Sequence, residues 1–170
     1  MKEQNGSAKA VTARRLVREF SRRGITVGSA ESCTGGLIAK LITDVPGSSA
    51  VLAGAFVTYT NEIKIGVLGV DANVIARDTE VSASCAAEMA SCARKRLGTT
   101  LAVSATGFAG PGGGTDDDPV GTVYLGVASP NGVTVERFCA PAGATRRQVR
   151  TAAAVRALDL LWNAVCSTEV

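Results

Sequence analysis

Short β-branched runs alternate with helix-length segments through most of this chain, and two strands joined across Pro130-Asn131-Gly132 follow late. That order constrains the fold more than any other feature. Alternating strands and helices require parallel strands with covering helices, and a late hairpin adds antiparallel strands to the same sheet. The fold expected is therefore α/β, a single compact three-layer domain with a mixed β-sheet flanked by helices on both faces. Expected helices span 9–23, 37–43, 61–68, 71–77, 82–97 and 145–165. Expected strands span 25–30, 50–59, 101–106, 122–128 and 133–139. Ser82 is a good N-cap, and Gly24 and Gly98 are good helix stops. Residues 1–8 read as a disordered N-terminal tail, and 9–166 as the domain.

A chain of 170 residues is sized for one domain and can bury roughly 70% of its unfolded surface. Aromatics make up 4% of residues, so the core must come from Ala, Val, Leu and Ile. A net charge of +3 suits a small anionic substrate and is too slight for a nucleic-acid surface. No run of 18 apolar residues is present, so no membrane association is expected. Five scattered cysteines and a polar start without an apolar signal segment fit reduced thiols and a cytoplasmic location. There is no histidine, which removes the commonest general base and the commonest zinc ligand.

Four segments can carry chemistry. In Ala30-Glu31-Ser32-Cys33-Thr34-Gly35-Gly36 a strand enters a tight turn and then a helix. Ser32 is thereby placed at or near a helix N-terminus, where free N–H groups can hold an oxyanion. The bland alternative is a plain strand–turn–helix with Ser32 or Thr34 as N-cap. Cys33 is a rival nucleophile, but it lacks a histidine to lower its pKa and reads as packed. In Thr58-Tyr59-Thr60-Asn61-Glu62-Ile63-Lys64, at a strand end, Lys64 is a candidate base if the fold suppresses its charge; otherwise it is a solvated helix lysine.

The stretch Thr106-Gly107-Phe108-Ala109-Gly110-Pro111-Gly112-Gly113-Gly114-Thr115 suits a backbone that wraps a ligand. It is neither a Walker A loop nor a dinucleotide fingerprint. Asp116-Asp117-Asp118 could hold Mg²⁺ or simply form a solvated turn. Arg146, Arg147 and Arg150 open the last helix, against its dipole, which hints at an anion ligand; a solvated basic face is the alternative.

Taken together, these segments resemble the CinA C-terminal domain family, also known as the nicotinamide-nucleotide amidase family. The matching stretches are AESCTGGLIAKLITDVPGSSAVLAGAFVTYTNEIKIGVLGV (30–70), EVSASCAAEMA (80–90), SATGFAGPGGGTDDDPVGTVYLGVA (104–128) and Arg146-x-x-Val149-Arg150. The resemblance implies an α/β fold and a homo-oligomer. It also implies hydrolysis of the carboxamide of nicotinamide mononucleotide (NMN) to nicotinate mononucleotide and ammonia, with no cofactor and no metal.

By the resemblance Ser32 is the nucleophile, Lys64 its partner and Tyr59 a supporting position; the mechanism expected has Lys64 as base, with Tyr59 orienting it or relaying the proton. Ser49, Thr106 and Arg146 match supporting positions. The remaining substrate contacts expected are backbone N–H groups around Cys33, Thr34 and Gly35, and the loop glycines Gly107, Gly110 and Gly112. Arg146 is expected on the phosphate, with Arg147 as the alternative, because Gly143-Ala144-Thr145-Arg146 carries one residue more than the family's Gly-Asp-Arg run. Many members also have a molybdopterin-binding type domain with pyrophosphatase activity; none stands in these 170 residues, so that activity is not expected. A different class of function remains open, a catalytically silent nucleotide-binding or regulatory module of the same fold.

Overall fold

A computed structural model describes residues 11–166; the tail expected over 1–8 lies outside them. Helix α1 (Ala13–Arg23) leads through Gly24 into strand β1 (Val27–Glu31). Helix α2 (Leu37–Thr43) and a short 3-10 turn at Ser48–Ala50 carry the chain to β2 (Leu52–Val57). A short helix α3 (Asn61–Ile63) widens into a π-type turn at Lys64–Leu68. Helices α4 (Ala72–Asp78) and α5 (Ala83–Leu97), strands β3 (Leu101–Gly107), β4 (Thr122–Ser129) and β5 (Gly132–Cys139), and helix α6 (Arg146–Cys166) complete the order.

The five strands form one mixed sheet in the order β2-β1-β3-β4-β5. Strands β1, β2 and β3 are parallel, while β4 and β5 add antiparallel as a hairpin. Helices α1, α2 and α6 cover one face, and α5 covers the other, with α4 and the 64–68 turn packed outside it. The expected architecture is the one present. Differences are confined to element ends, and to the 61–68 segment, which is a short helix widening into a π-type turn instead of one regular helix.

The two faces of the sheet are built differently. On the α1/α2/α6 face, Val27, Leu101, Val103, Val123, Leu125 and Val127 form a core with Leu16, Phe20, Ile38, Ile42 and Leu161. Phe20 stacks on Trp162, and Arg15 lies over the same indole, its guanidinium carbon 4.5 Å from the ring centre. The α5 face is paved with small residues. Gly28, Ala30, Ala102, Ser104, Gly126 and Ala128 share it by the alternation of the strands and their register, and α5 presents Ala86, Ala90 and Ala93 to it.

That smoothness lets the helix backbone approach the sheet. Ser104 Oγ donates to the Ala86 carbonyl at 2.6 Å, and a Cβ on Gly126 would stand 2.6 Å from the same oxygen.

Gly126→Ala is therefore expected to lower unfolding stability by about 1–3 kcal/mol through overpacking. Urea denaturation measures it, and an unchanged midpoint would show that α5 can retreat without cost.

Candidate active site

The carboxyl ends of β1, β2 and β3 and the start of β4 meet at one edge of the sheet. Here the chain order reverses, because β2 lies on one side of β1 and β3 on the other. Crevices at such switch points are where open α/β sheets bind ligands. The edge carries a small cavity of about 190 Å³ lined by Ser32, Cys33, Tyr59, Lys64, Glu80, Val81, Thr106, Gly107, Phe108, Ala109 and Arg146. A larger groove of about 710 Å³ lies between Ala140–Ala144 and the first turns of α6, lined by Arg147 and no candidate catalytic side chain.

Ser32 directly follows β1. Its N–H donates to the Ala105 carbonyl of β3 at 2.8 Å, so the sheet holds the residue's backbone. Its carbonyl accepts from Gly35 N–H at 3.1 Å, closing a tight turn in which Gly35 and Gly36 take φ of 58° and 89°. Those left-handed values suit glycine. The turn separates Ser32 from α2, so Ser32 is not at the helix start, and neither Ser32 nor Thr34 caps it.

The N-terminal amides of α2 are already used. Glu31, fully buried, accepts from Ile38 N–H at 3.0 Å, Ala39 N–H at 2.9 Å and Ser29 Oγ at 3.1 Å. The expected helix-end oxyanion site is thus filled by the chain's own carboxylate. The donors left beside Ser32 are the N–H groups of Cys33 and Thr34, which bond to no backbone carbonyl among the described residues and lie close to the Cys33 sulfur.

Lys64 is brought to Ser32 by the segment after β2. Thr60 caps α3, accepting from Ile63 N–H at 3.4 Å, and the widening at Lys64–Leu68 turns residue 64 inward. Lys64 is 1% exposed, and its Nζ donates to Ser32 Oγ at 3.3 Å. Among the described residues no carboxylate lies within ion-pair distance of Nζ. Burial pushes the ammonium's pKa down, only partly opposed by nearby Cys85, Glu80 and Cys33. The solvated-lysine alternative does not describe this side chain.

The other expected residues divide. Thr106 lines the cavity and donates through Oγ1 to the Glu80 carbonyl at 2.6 Å. Gly107 lines it, and Gly110 contributes its carbonyl to Arg146 Nη1 at 2.8 Å. Gly35 closes the turn but does not face the cavity, and Gly112 is exposed away from it. Ser49 is exposed in the turn before β2. It lies at the opposite edge of the sheet, roughly 20 Å away by the length of that strand, and the fold does not bring it to this site.

Tyr59, expected to orient Lys64, instead accepts from Arg146 Nη2 at 2.8 Å. It lines the same cavity as Ser32 and Lys64, with more than half of its surface exposed. The basic cluster of α6 is split three ways: Arg146 spans the cavity mouth, Arg147 lines the outer groove, and Arg150 donates to backbone carbonyls of the Ser32 turn.

Burial pushes the Cys33 thiol up to about 12, which disfavours the thiolate that a nucleophilic cysteine needs. Of the aspartate run, Asp118 accepts from Tyr124 OH at 3.0 Å and from Arg137 Nε at 2.8 Å, as part of the β4–β5 hairpin.

Glu80, Val81 and Phe108 line the cavity without having been singled out in the sequence. Their signal was weak: Glu80 belongs to a short segment between helices, and only the packing of α5 on β3 carries it to the sheet edge.

An α/β domain with a buried serine–lysine pair at the carboxyl edge of its parallel strands is thus defined, a site able to activate a hydroxyl without imidazole. A family model described as the CinA C-terminal domain matches residues 9–165, and the chain belongs to that family. A CinA-like protein of Geobacter sulfurreducens is 49% identical over 146 residues, 86% of this chain and 35% of that protein. A putative competence-damage inducible protein of Halothermothrix orenii is 54% identical over 113 residues, 66% of this chain and 27% of that one. The chain therefore spans about a third of the length of the curated relatives it matches.

Among solved structures, competence/damage inducible protein CihA from Agrobacterium tumefaciens superposes with a TM-score of 0.85 at 41% identity. The match covers 89% of this chain and 92% of that one. A CinA superfamily protein from Klebsiella pneumoniae gives a TM-score of 0.84 at 30% identity over 88% of this chain and 92% of that one.

Two outcomes follow from this geometry. Alkylation at pH 8 followed by peptide mass mapping is expected to modify exposed Cys139 well before Cys33. Lys64→Met is expected to raise the thermal midpoint at neutral pH. The folded-state pKa of Lys64 lies below its unfolded value, so the cost of the buried amine is full below the folded pKa and is relieved progressively as pH rises from there to the ordinary lysine value. Each kcal/mol relieved is worth about 2–4 °C for a chain of this size, and a lowered midpoint would show that the charge is accommodated.

Proposed function

We propose that this domain hydrolyses the carboxamide of nicotinamide mononucleotide to nicotinate mononucleotide and ammonia by a serine–lysine mechanism. The observation that carries the reading is Lys64 Nζ, buried without a carboxylate, against Ser32 Oγ. Membership of the CinA family, which includes nicotinamide-nucleotide amidases, supplies the substrate class.

Neutral Lys64 accepts the hydroxyl proton as Ser32 Oγ attacks the carboxamide carbon. The N–H groups of Cys33 and Thr34 are the donors free to receive the oxyanion. The Lys64 ammonium then returns the proton to the departing nitrogen, and ammonia leaves an acyl-serine. Water, deprotonated by the same amine, cleaves the ester to give the carboxylate and free Ser32.

A cavity of about 190 Å³ is smaller than the ~300–1,000 Å³ that engulfs a drug-sized ligand. It suits the pyridine ring and its amide, leaving ribose and phosphate over the mouth. There Arg146, exposed and bridging Tyr59 and Gly110, supplies a guanidinium for the phosphate.

The test is ammonia release from NMN by purified protein. Ser32→Ala is expected to lower kcat by about 10³-fold or more, and turnover surviving that change would remove the assigned nucleophile. Lys64→Arg is expected to be inactive, since a guanidinium does not deprotonate. The wild-type kcat/KM is expected to fall as pH drops through the lowered Lys64 pKa, because the working form is the free amine. Binding of NMN without turnover at any pH would instead identify a nucleotide-binding module.

A further inference from the structure

Arg150 stands one turn into α6, behind the Ser32 turn and on the opposite side from Lys64. It is half-buried. Its Nε donates to the Cys33 carbonyl at 3.0 Å and its Nη2 to the Thr34 carbonyl at 2.7 Å. It makes no ion pair among the described residues, so its fork is spent on the backbone of this turn. Gly35 is part of the same fit, because a Cβ there would stand 3.2 Å from Arg150 Nη2.

A peptide unit is planar, with its carbonyl and N–H pointing opposite ways. Holding the Cys33 carbonyl toward α6 therefore aims the Thr34 N–H away from the Arg150 guanidinium. The Ser32 carbonyl is held by Gly35 N–H, which sets the Cys33 N–H in the same manner. The two amides so oriented are the two beside Ser32 that donate to no carbonyl among the described residues. A cation on a carbonyl also polarises its peptide and strengthens the N–H at the other end.

We propose that Arg150 is a positioning residue. It fixes and polarises the Cys33–Thr34 and Thr34–Gly35 peptide units, and so aims the Thr34 N–H directly and the Cys33 N–H through the Gly35–Ser32 hydrogen bond, without touching substrate. This rests on the reading of Ser32 as nucleophile but not on NMN as substrate. It also explains an arginine in the first turns of α6, where the dipole disfavours it: the charge answers two carbonyls of a neighbouring turn rather than an anion.

The experiment uses a fluorophosphonate probe, whose phosphoryl oxygen needs the same donors as an amide. On reaction the Ser32 Oγ–P bond forms, fluoride leaves, and the hydroxyl proton passes to Lys64. The second-order labelling rate at Ser32, read by intact mass, is measured for wild type, Arg150→Ala and Arg150→Lys, with ammonia release from NMN in parallel.

Arg150→Ala is expected to label about 100-fold more slowly, as for a site displaced by a fraction of an ångström to one ångström. Its kcat should fall and its KM stay within about threefold. Methylguanidinium should restore a large part of the rate, and Arg150→Lys, a point donor that cannot hold both carbonyls, should lie between. Wild-type labelling rates in Arg150→Ala would overturn the proposal. So would a folded but slow Arg150→Ala that methylguanidinium leaves slow, since that is loss of packing alone. If Arg150→Ala does not fold, Arg150→Lys decides: an unchanged rate overturns the proposal, and a reduced rate with unchanged KM supports it. A wild type that labels at Ser32 yet releases no ammonia from NMN removes the substrate reading and leaves this one standing. A wild type that does not label at Ser32 removes both.

Discussion

Glu31 is a carboxylate at zero exposure, set against a core built largely of aliphatic side chains. A charge in that position is ruinous unless every lone pair finds a donor. The donors come from two backbone amides at the start of α2 and from the Ser29 hydroxyl. This interaction joins the last residue of β1 to a helix that begins six residues later. The intervening chain, Ser32 to Gly36, has little freedom left. Everything at the site depends on that turn being where it is, including the approach of Lys64 from the segment after β2 and of Arg150 from α6.

The turn is held on several sides by groups far apart in sequence. Ser32 N–H is bound to β3, the Cys33 and Thr34 carbonyls to α6, and Ser32 Oγ to Lys64. The sheet supplies the rigid platform. Its small-residue face admits α5 closely, and α5 in turn closes over Lys64 through Cys85 and the neighbouring Glu80. The cost is concentrated in Lys64, an ammonium group withdrawn from water with no compensating carboxylate. Burial of this kind lowers the pKa of an amine, which is the property the proposed serine–lysine chemistry would use.

Much of this was legible in the chain itself. The strand–helix alternation and the Pro130-Asn131-Gly132 hairpin specified a mixed sheet, because periodicity and turn chemistry are local properties. Ser82 and Gly98 marked the ends of α5 correctly for the same reason. Ser32, Lys64, Thr106 and Arg146 were singled out by the glycine-rich context and by resemblance to the CinA family, and they do converge. What was not legible was direction. Tyr59 lies five residues before Lys64, yet its hydroxyl faces Arg146 at the surface. Ser49 lies in a motif stretch, yet a strand carries it to the far edge of the sheet. Three arginines at the start of α6 meet three different environments: Arg147 points about 100° away from Arg146 toward the outer groove, while Arg146 and Arg150 share a face one turn apart and so reach different groups.

The amino-acid sequence by itself determined the fold class, the lack of any histidine in these 170 residues, and the short list of segments from which a site could be built. Those follow from composition and short-range pattern, which no packing can alter. Tertiary structure alone decided that Lys64 is the buried amine, that the α2 N-terminus belongs to Glu31 rather than to a ligand, and that Arg150 grips the turn beside Ser32. Each depends on contacts between residues 7 to 117 positions apart, and burial, the quantity that shifts a pKa, exists only once those contacts have formed.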